Sequence, residues 1–283
     1  MEKPPNSFLI KKAIAAESEL SPRETDINDL QSYLKKLYPL SVDKKLIRLG
    51  PLGDGGYLLP DDLTGIQACF SPGIGFSSEF EKDCAERGMH VFLADKSVNG
   101  PISEHELFHF TKKYIGVGSD DDFLTLDDWV QSSLPGTNTD LLLQMDIEGY
   151  EYEVFQSASE SLMRRFRIIV AEFHELNQLW NHSFFKVAAD VFDKILRTHA
   201  CVHIHPNNHA GIIRRNSLDI PQVMEFSFLR KDRIENSSYQ KIFPNPLDYD
   251  NNPFTASVVL PGCWHKGNEC EPEKRLNPSD FIT

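Results

Sequence analysis

Short apolar runs at residues 66–70, 90–94, 113–117, 141–146 and 167–173 alternate with polar, helix-compatible stretches long enough for crossovers. Few folds accept that texture. Continuous apolar runs suit strands buried on both faces, and parallel strands need long connections. The alternation therefore predicts repeated β-α units around a mostly parallel sheet with helices on both faces. Two further runs, 201–205 and 223–229, flank a polar loop without helical periodicity and are expected to pair as an antiparallel hairpin. The expected fold is α/β: a seven-stranded, mostly parallel, Rossmann-like sheet with an antiparallel terminal hairpin.

Ahead of this region Ile27, Leu30, Tyr33, Leu34 and Leu37 recur at helical spacing behind Asp26, a capping residue, and Pro39 ends the pattern. Residues 1–45 are thus expected as a helical cap, 46–235 as the main domain, and 236–283, rich in Pro and Asn, as a tail packed on it.

Charge narrows the partners. Forty-two acidic residues against 29 basic ones leave a net charge of −13, which repels nucleic-acid phosphates and anionic membrane surfaces. No apolar run approaches the ~20 residues needed to cross a bilayer, and residues 1–7 lack the layout of a secretion signal, so a cytoplasmic protein is expected. The five cysteines, Cys69, Cys84, Cys201, Cys263 and Cys270, form no CxxC pair and are expected to be free thiols.

The first run passes into Ser71-Pro72-Gly73-Ile74-Gly75-Phe76-Ser77, a glycine turn between strand and helix where backbone can approach a ligand closely. Gly73, Gly75 and Ser77 are candidate cofactor contacts. The third glycine of a dinucleotide fingerprint is missing from this turn, so a nucleoside without a pyrophosphate fits better. Asp95 ends the second run about 20 residues after the glycines, a position suited to accepting both ribose hydroxyls. Asp120, in the acidic stretch after the third run, is the candidate for the adenine amino group. A glycine turn plus such an acid is shared with NAD-dependent oxidoreductases, and a binding protein of the same fold without catalysis is a third reading.

The fourth run reads Asp-Leu-Leu-Leu-Gln-Met-Asp-Ile-Glu-Gly-Tyr-Glu over residues 140–151. This resembles the FkbM family of methyltransferases, whose fourth strand ends in D-[VI]-E-G-x-E. Thr125-Leu126-Asp127-Asp128 and Ala171-Glu172-Phe173-His174 agree with it. The resemblance covers about residues 47–230 and implies a class I methyltransferase fold. It further implies methyl transfer from S-adenosylmethionine, usually to oxygen on a sugar, polyketide or other small metabolite. A subgroup is also similar at residues 48–51, at Asp54-Gly55-Gly56-Tyr57 and at residues 203–208. There Asp54, Gly56 and Tyr57 would hold the methionine end of the cofactor. The chain departs from the class I pattern at Ser71, where an acid is usual, and Asp54 is the expected substitute.

At the strand ends Asp146 and Glu148, and Glu172 and His174, would cluster beside the transferred methyl as the acceptor site. An alcohol is a poor nucleophile, so a base or a metal is needed. His174 or His205 is the candidate base. Alternatively Asp146, Glu148 and Glu172 would hold Mg²⁺ and acidify a bound hydroxyl. Of His203 and His205, one is expected to face inward and the other outward, with His205 favoured for its neighbours Asn207 and Asn208, amides suited to hydroxyl recognition.

Overall fold

The computed structural model describes residues 23–75, 77–136 and 138–267. The first part of the expected cap, and the tail beyond 267 with Cys270, lie outside these. Seven strands form the central sheet: β1 (Ala68–Pro72), β2 (His90–Ala94), β3 (Phe108–Thr111), β4 (Leu141–Met145), β5 (Phe166–Phe173), β6 (His199–Pro206) and β7 (Met224–Arg230). Their order is β6-β7-β5-β4-β1-β2-β3. Pairings from β3 across to β5 are parallel, whereas β7 runs antiparallel to both β5 and β6. Between β6 and β7, Ile212–Arg215 and Leu218–Pro221 form a further small hairpin in what reads as polar loop.

The third parallel strand is not the run at 113–117 but Phe108–Thr111. It is an edge strand, paired only with β2, so it alternates polar and apolar residues and lacks the continuous apolar signature. Tyr114–Gly116 instead pairs with Phe123–Thr125 in a separate two-stranded ribbon.

Side-chain alternation along the strands divides the core in two. Phe70, Leu143, Ala171 and Phe173 pack with α1 (Ile27–Leu34), α3 (Leu126–Ser133), α4 (Glu151–Ser157) and α5 (His182–Thr198). Cys69, Val91, Leu142 and Val170 point the other way, into a second cluster with α2 (Glu79–Glu86) and the ribbon of Leu46–Leu49 with Tyr57–Pro60. Helix α1 starts as expected, with Asp26 accepting hydrogen bonds from the N–H groups of Asn28 at 2.8 Å and Asp29 at 3.3 Å. After Pro39 the chain becomes a short strand, Leu40–Val42, paired with Ser237–Tyr239 of the tail. Cys69, Cys84, Cys201 and Cys263 are free thiols. Among the described residues no helix is long and apolar enough to cross a membrane.

Candidate active site

Strand order reverses between β1 and β4, and a reversal of this kind leaves a crevice at the carboxyl ends of the strands. Gly73 borders it with φ +87°, and a Cβ there would lie 1.8 Å from the Asp146 carbonyl oxygen. Only glycine fits. Gly75 has nothing within 4 Å of its would-be Cβ and lines a cavity of about 350 Å³.

Asp95, at the end of β2, holds this loop. Its Oδ2 accepts from the Ile74 N–H at 3.0 Å, and Oδ1 accepts from the Ser97 N–H and Oγ, both at 2.7 Å. A carboxylate has about four lone-pair positions, so a ligand hydroxyl can still be accepted. Ser77 is not on the cavity wall; its Oγ accepts from the Glu79 N–H at 3.2 Å and starts α2.

The far wall is aromatic and aliphatic: Tyr114, Ile115, Phe123 and Tyr150. Asp120 is absent from it, correcting the expected adenine contact. Its Oδ1 accepts from the N–H groups of Asp122 and Phe123, each at 2.8 Å, and so shapes the turn that presents the Phe123 ring. An apolar slot replaces the expected polar handle.

Ser71 is also off the cavity wall, fully buried on the α2 side of the sheet. Its Oγ lies 2.6 Å from both Glu81 Oε1 and Gln144 Oε1. Ser71 donates to these two acceptors, and burial raises the Glu81 carboxyl above its usual range. Gln144 Nε2 then donates to the Tyr57 hydroxyl at 3.3 Å. Glu81 thus brings a carboxyl from α2 beside the position where β1 lacks one. Asp54 is exposed and lines a different cavity. Gly56 makes room for Arg48, whose guanidinium donates to the carbonyls of Pro51 at 2.7 Å and Gly53 at 2.8 Å.

After β4 the chain makes a tight turn. Fully buried Glu151 accepts at Oε1 from the N–H groups of Ile147 at 2.9 Å and Gly149 at 3.2 Å. Glu148 is thereby held at φ +58°, a left-handed conformation rare for a residue with a side chain. The same Glu151 oxygen lies 3.2 Å from His174 Nδ1. The other ring nitrogen, Nε2, faces Glu172 at 3.6 Å, Asp146 at 3.9 Å and Glu148 at 4.0 Å.

Burial would lower the His174 imidazole, but Glu151, and then Asp146 and Glu172, outweigh it and raise it to about 10. It is therefore an imidazolium near neutral pH, not the neutral base expected. Burial, with the charges of Glu151 and Glu148, raises Asp146 to about 7. Glu172 is pushed well above the usual carboxylate range by burial and by Asp146. Asp146, Glu151 and His174 place potential metal-ligand atoms within 4.8 Å of one another, the one such group found among the described residues. Glu148 and Glu172, of the set expected for Mg²⁺, border it.

This cluster lines a second cavity of about 560 Å³, completed by Asp54, Asn207 and His209 and by Asn251, Asn252 and Phe254 of the tail. Asp146 and Glu148 line both cavities. Asn207 donates to Glu172 Oε1 at 3.1 Å. Asn208 does not reach the cavity. Its amide is spent on the tail loop, donating to Asn252 O and accepting from Asn252 N–H, both at 2.8 Å.

His205 is likewise off the cavity wall. Residues two apart on a strand share a face, so His203 and His205 both turn inward, contrary to the one-in, one-out expectation. Both meet Asp248 of the tail, His203 Nε2 at 2.9 Å and His205 Nδ1 at 3.6 Å. The imidazoles overcome burial and hold Asp248 well below the usual carboxylate range. His205 is raised despite burial, through Asp248 and Glu225. Glu225 on β7 stands in register with Glu172 on one side and His205 on the other, and accepts from Asn251 at 2.7 Å. Glu81, Gln144, Glu151, Glu225, Asp248 and Asn251 were not singled out by sequence; of these only Gln144 and Glu151 stood inside the quoted text of the fourth run.

Residues 65–200 match a family model, the methyltransferase FkbM domain. No curated protein matches the chain.

Proposed function

We propose that this chain, which carries a methyltransferase FkbM domain over residues 65–200, transfers a methyl group from S-adenosylmethionine to a hydroxyl of a small polar acceptor. The observation that carries the proposal is the pair of cavities meeting at Asp146 and Glu148. The adenosine would lie in the first, with its ribose on Asp95 and its base between Tyr114, Ile115, Phe123 and Tyr150. The acceptor would lie in the second, among carboxylates and amides that suit hydroxyl groups.

Methyl transfer is an in-line displacement on a sulfonium carbon, so alignment supplies much of the rate. The junction of the cavities is where sulfur, methyl and attacking oxygen would line up. Carboxylates there favour the cationic donor and can take the proton of the hydroxyl. His174, as an imidazolium, offsets part of their charge.

A nicotinamide dinucleotide is served less well. The Gly73 and Ile74 N–H groups, which a pyrophosphate would use, are spent on Ala94 O and Asp95. Thermal unfolding with S-adenosylhomocysteine and with NADH tests this. A ligand at 100 times its Kd adds ~2.7 kcal/mol of stability, and the shift is expected with S-adenosylhomocysteine alone. A shift with NADH alone overturns the proposal. Mass spectrometry of candidate acceptors incubated with the donor then identifies the product.

A further inference from the structure

The second cavity has a floor that its role as an acceptor pocket does not require. His174 Nε2 points into it and makes no hydrogen bond there, because Glu172 at 3.6 Å and Asp146 at 3.9 Å are too far for one. Those separations lie within the ~4.2 Å that two ligand atoms can span when each is ~2.1 Å from a shared ion. Asn207 is the only described residue donating to the Glu172 carboxylate, and none donates to that of Asp146.

We propose that His174 Nε2, Asp146 and Glu172 bind one divalent transition-metal cation at the floor of the second cavity, with Glu151 holding the imidazole from behind. Three features support this. Glu151 on Nδ1 reproduces the carboxylate-histidine arrangement that fixes the ring of a metal-binding histidine and makes it a better ligand. Glu151 is fully buried and its Oε2 has no hydrogen-bond partner among the described residues, so its charge is offset only through the ring and the turn. Finally, four carboxylates crowd one imidazole, and a divalent cation that displaces the Nε2 proton of the imidazolium adds one net positive charge to the cluster. The nitrogen ligand favours Mn²⁺, Fe²⁺ or Zn²⁺ over the Mg²⁺ that oxygens alone would suggest. Glu148, more than half exposed and 4.0 Å from Nε2, stays outside the set and can still take a proton from an acceptor hydroxyl.

Where the ion binds does not depend on the methyl-transfer reading; only what it does there, orienting an acceptor oxygen, rests on that reading. The test is a titration of the full chain, stripped with a chelator, with Mn²⁺ followed by calorimetry and by the loss of the free-ion electron paramagnetic resonance signal. One ion per chain is expected. His174→Ala should abolish binding, and Glu151→Gln should weaken it 10- to 100-fold, with circular dichroism confirming that each variant is folded. No Mn²⁺ uptake by the unaltered chain up to ~1 mM, a Kd typical of weak sites, overturns the proposal. So does uptake that survives His174→Ala. S-adenosylhomocysteine binding is measured on the same stripped sample. If it binds while Mn²⁺ does not, the cation site falls and the transfer reading stands; the opposite result removes the donor and leaves the ion.

Discussion

The Asp146 carbonyl fills the space in which a Gly73 side chain would begin, leaving 1.8 Å to a would-be Cβ. Two loops from opposite sides of the strand reversal are thereby locked together. Gly73→Ala must relieve that overlap and hold a left-handed backbone, which together cost about 2–4 kcal/mol. Gly75→Ala meets open space and should stay within ~0.5 kcal/mol of the parent in urea unfolding, while weakening S-adenosylhomocysteine. Equal stability losses in the two variants would contradict the distinction.

Asp95 organises the loop and faces the first cavity with the same carboxylate. Asp95→Asn replaces one accepting oxygen by a donor against groups that are themselves donors. Losing charged hydrogen bonds worth ~1.5–3 kcal/mol should raise the S-adenosylhomocysteine Kd about 10- to 100-fold by calorimetry. An unchanged Kd would remove Asp95 from the cofactor site.

Asp248 joins the tail to β6 through two buried imidazoles. Removing one partner of a buried ionic set costs several kcal/mol, so Asp248→Asn should lower stability by about 3 kcal/mol. Hydrogen exchange should rise at residues 245–254, the segment that brings Asn251, Asn252 and Phe254 to the second cavity. Unaltered exchange there would show that the tail is held by other contacts.

His199, at the start of β6, is buried with Nε2 2.7 Å from the Phe166 carbonyl. Burial outweighs that hydrogen bond and lowers the imidazole to about 4 from its usual ~6.5. The unfolded chain therefore binds more protons than the folded one between those values. Stability falls as pH drops from ~6.5 to ~4, by roughly 3 kcal/mol at the bottom of that window. His199→Gln keeps a donor and does not titrate, so its melting temperature should depend less on pH there. A parallel decline in both proteins would assign the acid sensitivity to other groups.

Four of the five parallel strands were legible because each is buried on both faces and leaves an unbroken apolar run. Phe108–Thr111 was missed because an edge strand shows solvent one side and loses that signature. The first cavity was partly legible: Gly73, Gly75 and Asp95 line it, as a local strand-turn-helix pattern suggests. Its aromatic wall was not, since Tyr114 and Phe123 meet only through a ribbon whose pairing no local pattern encodes. The second cavity depends most on distant partners. Asn207 and Asn208 look alike in sequence, yet Asn207 faces Glu172 and Asn208 is consumed by the tail. His205 looked like a base until Asp248, 43 residues away, came to lie against it.

Glu148 carries a further consequence. A left-handed conformation costs a residue with a side chain ~1–2 kcal/mol, and glycine would take it freely at some loss of chain entropy. Glu148→Gly should therefore leave the fold as stable as before, or slightly more so, while depriving both cavities of a carboxylate. At this turn durability and the chemistry of the cavities pull in opposite directions, and a screen that rewarded heat resistance alone would select the variant that has lost the carboxylate.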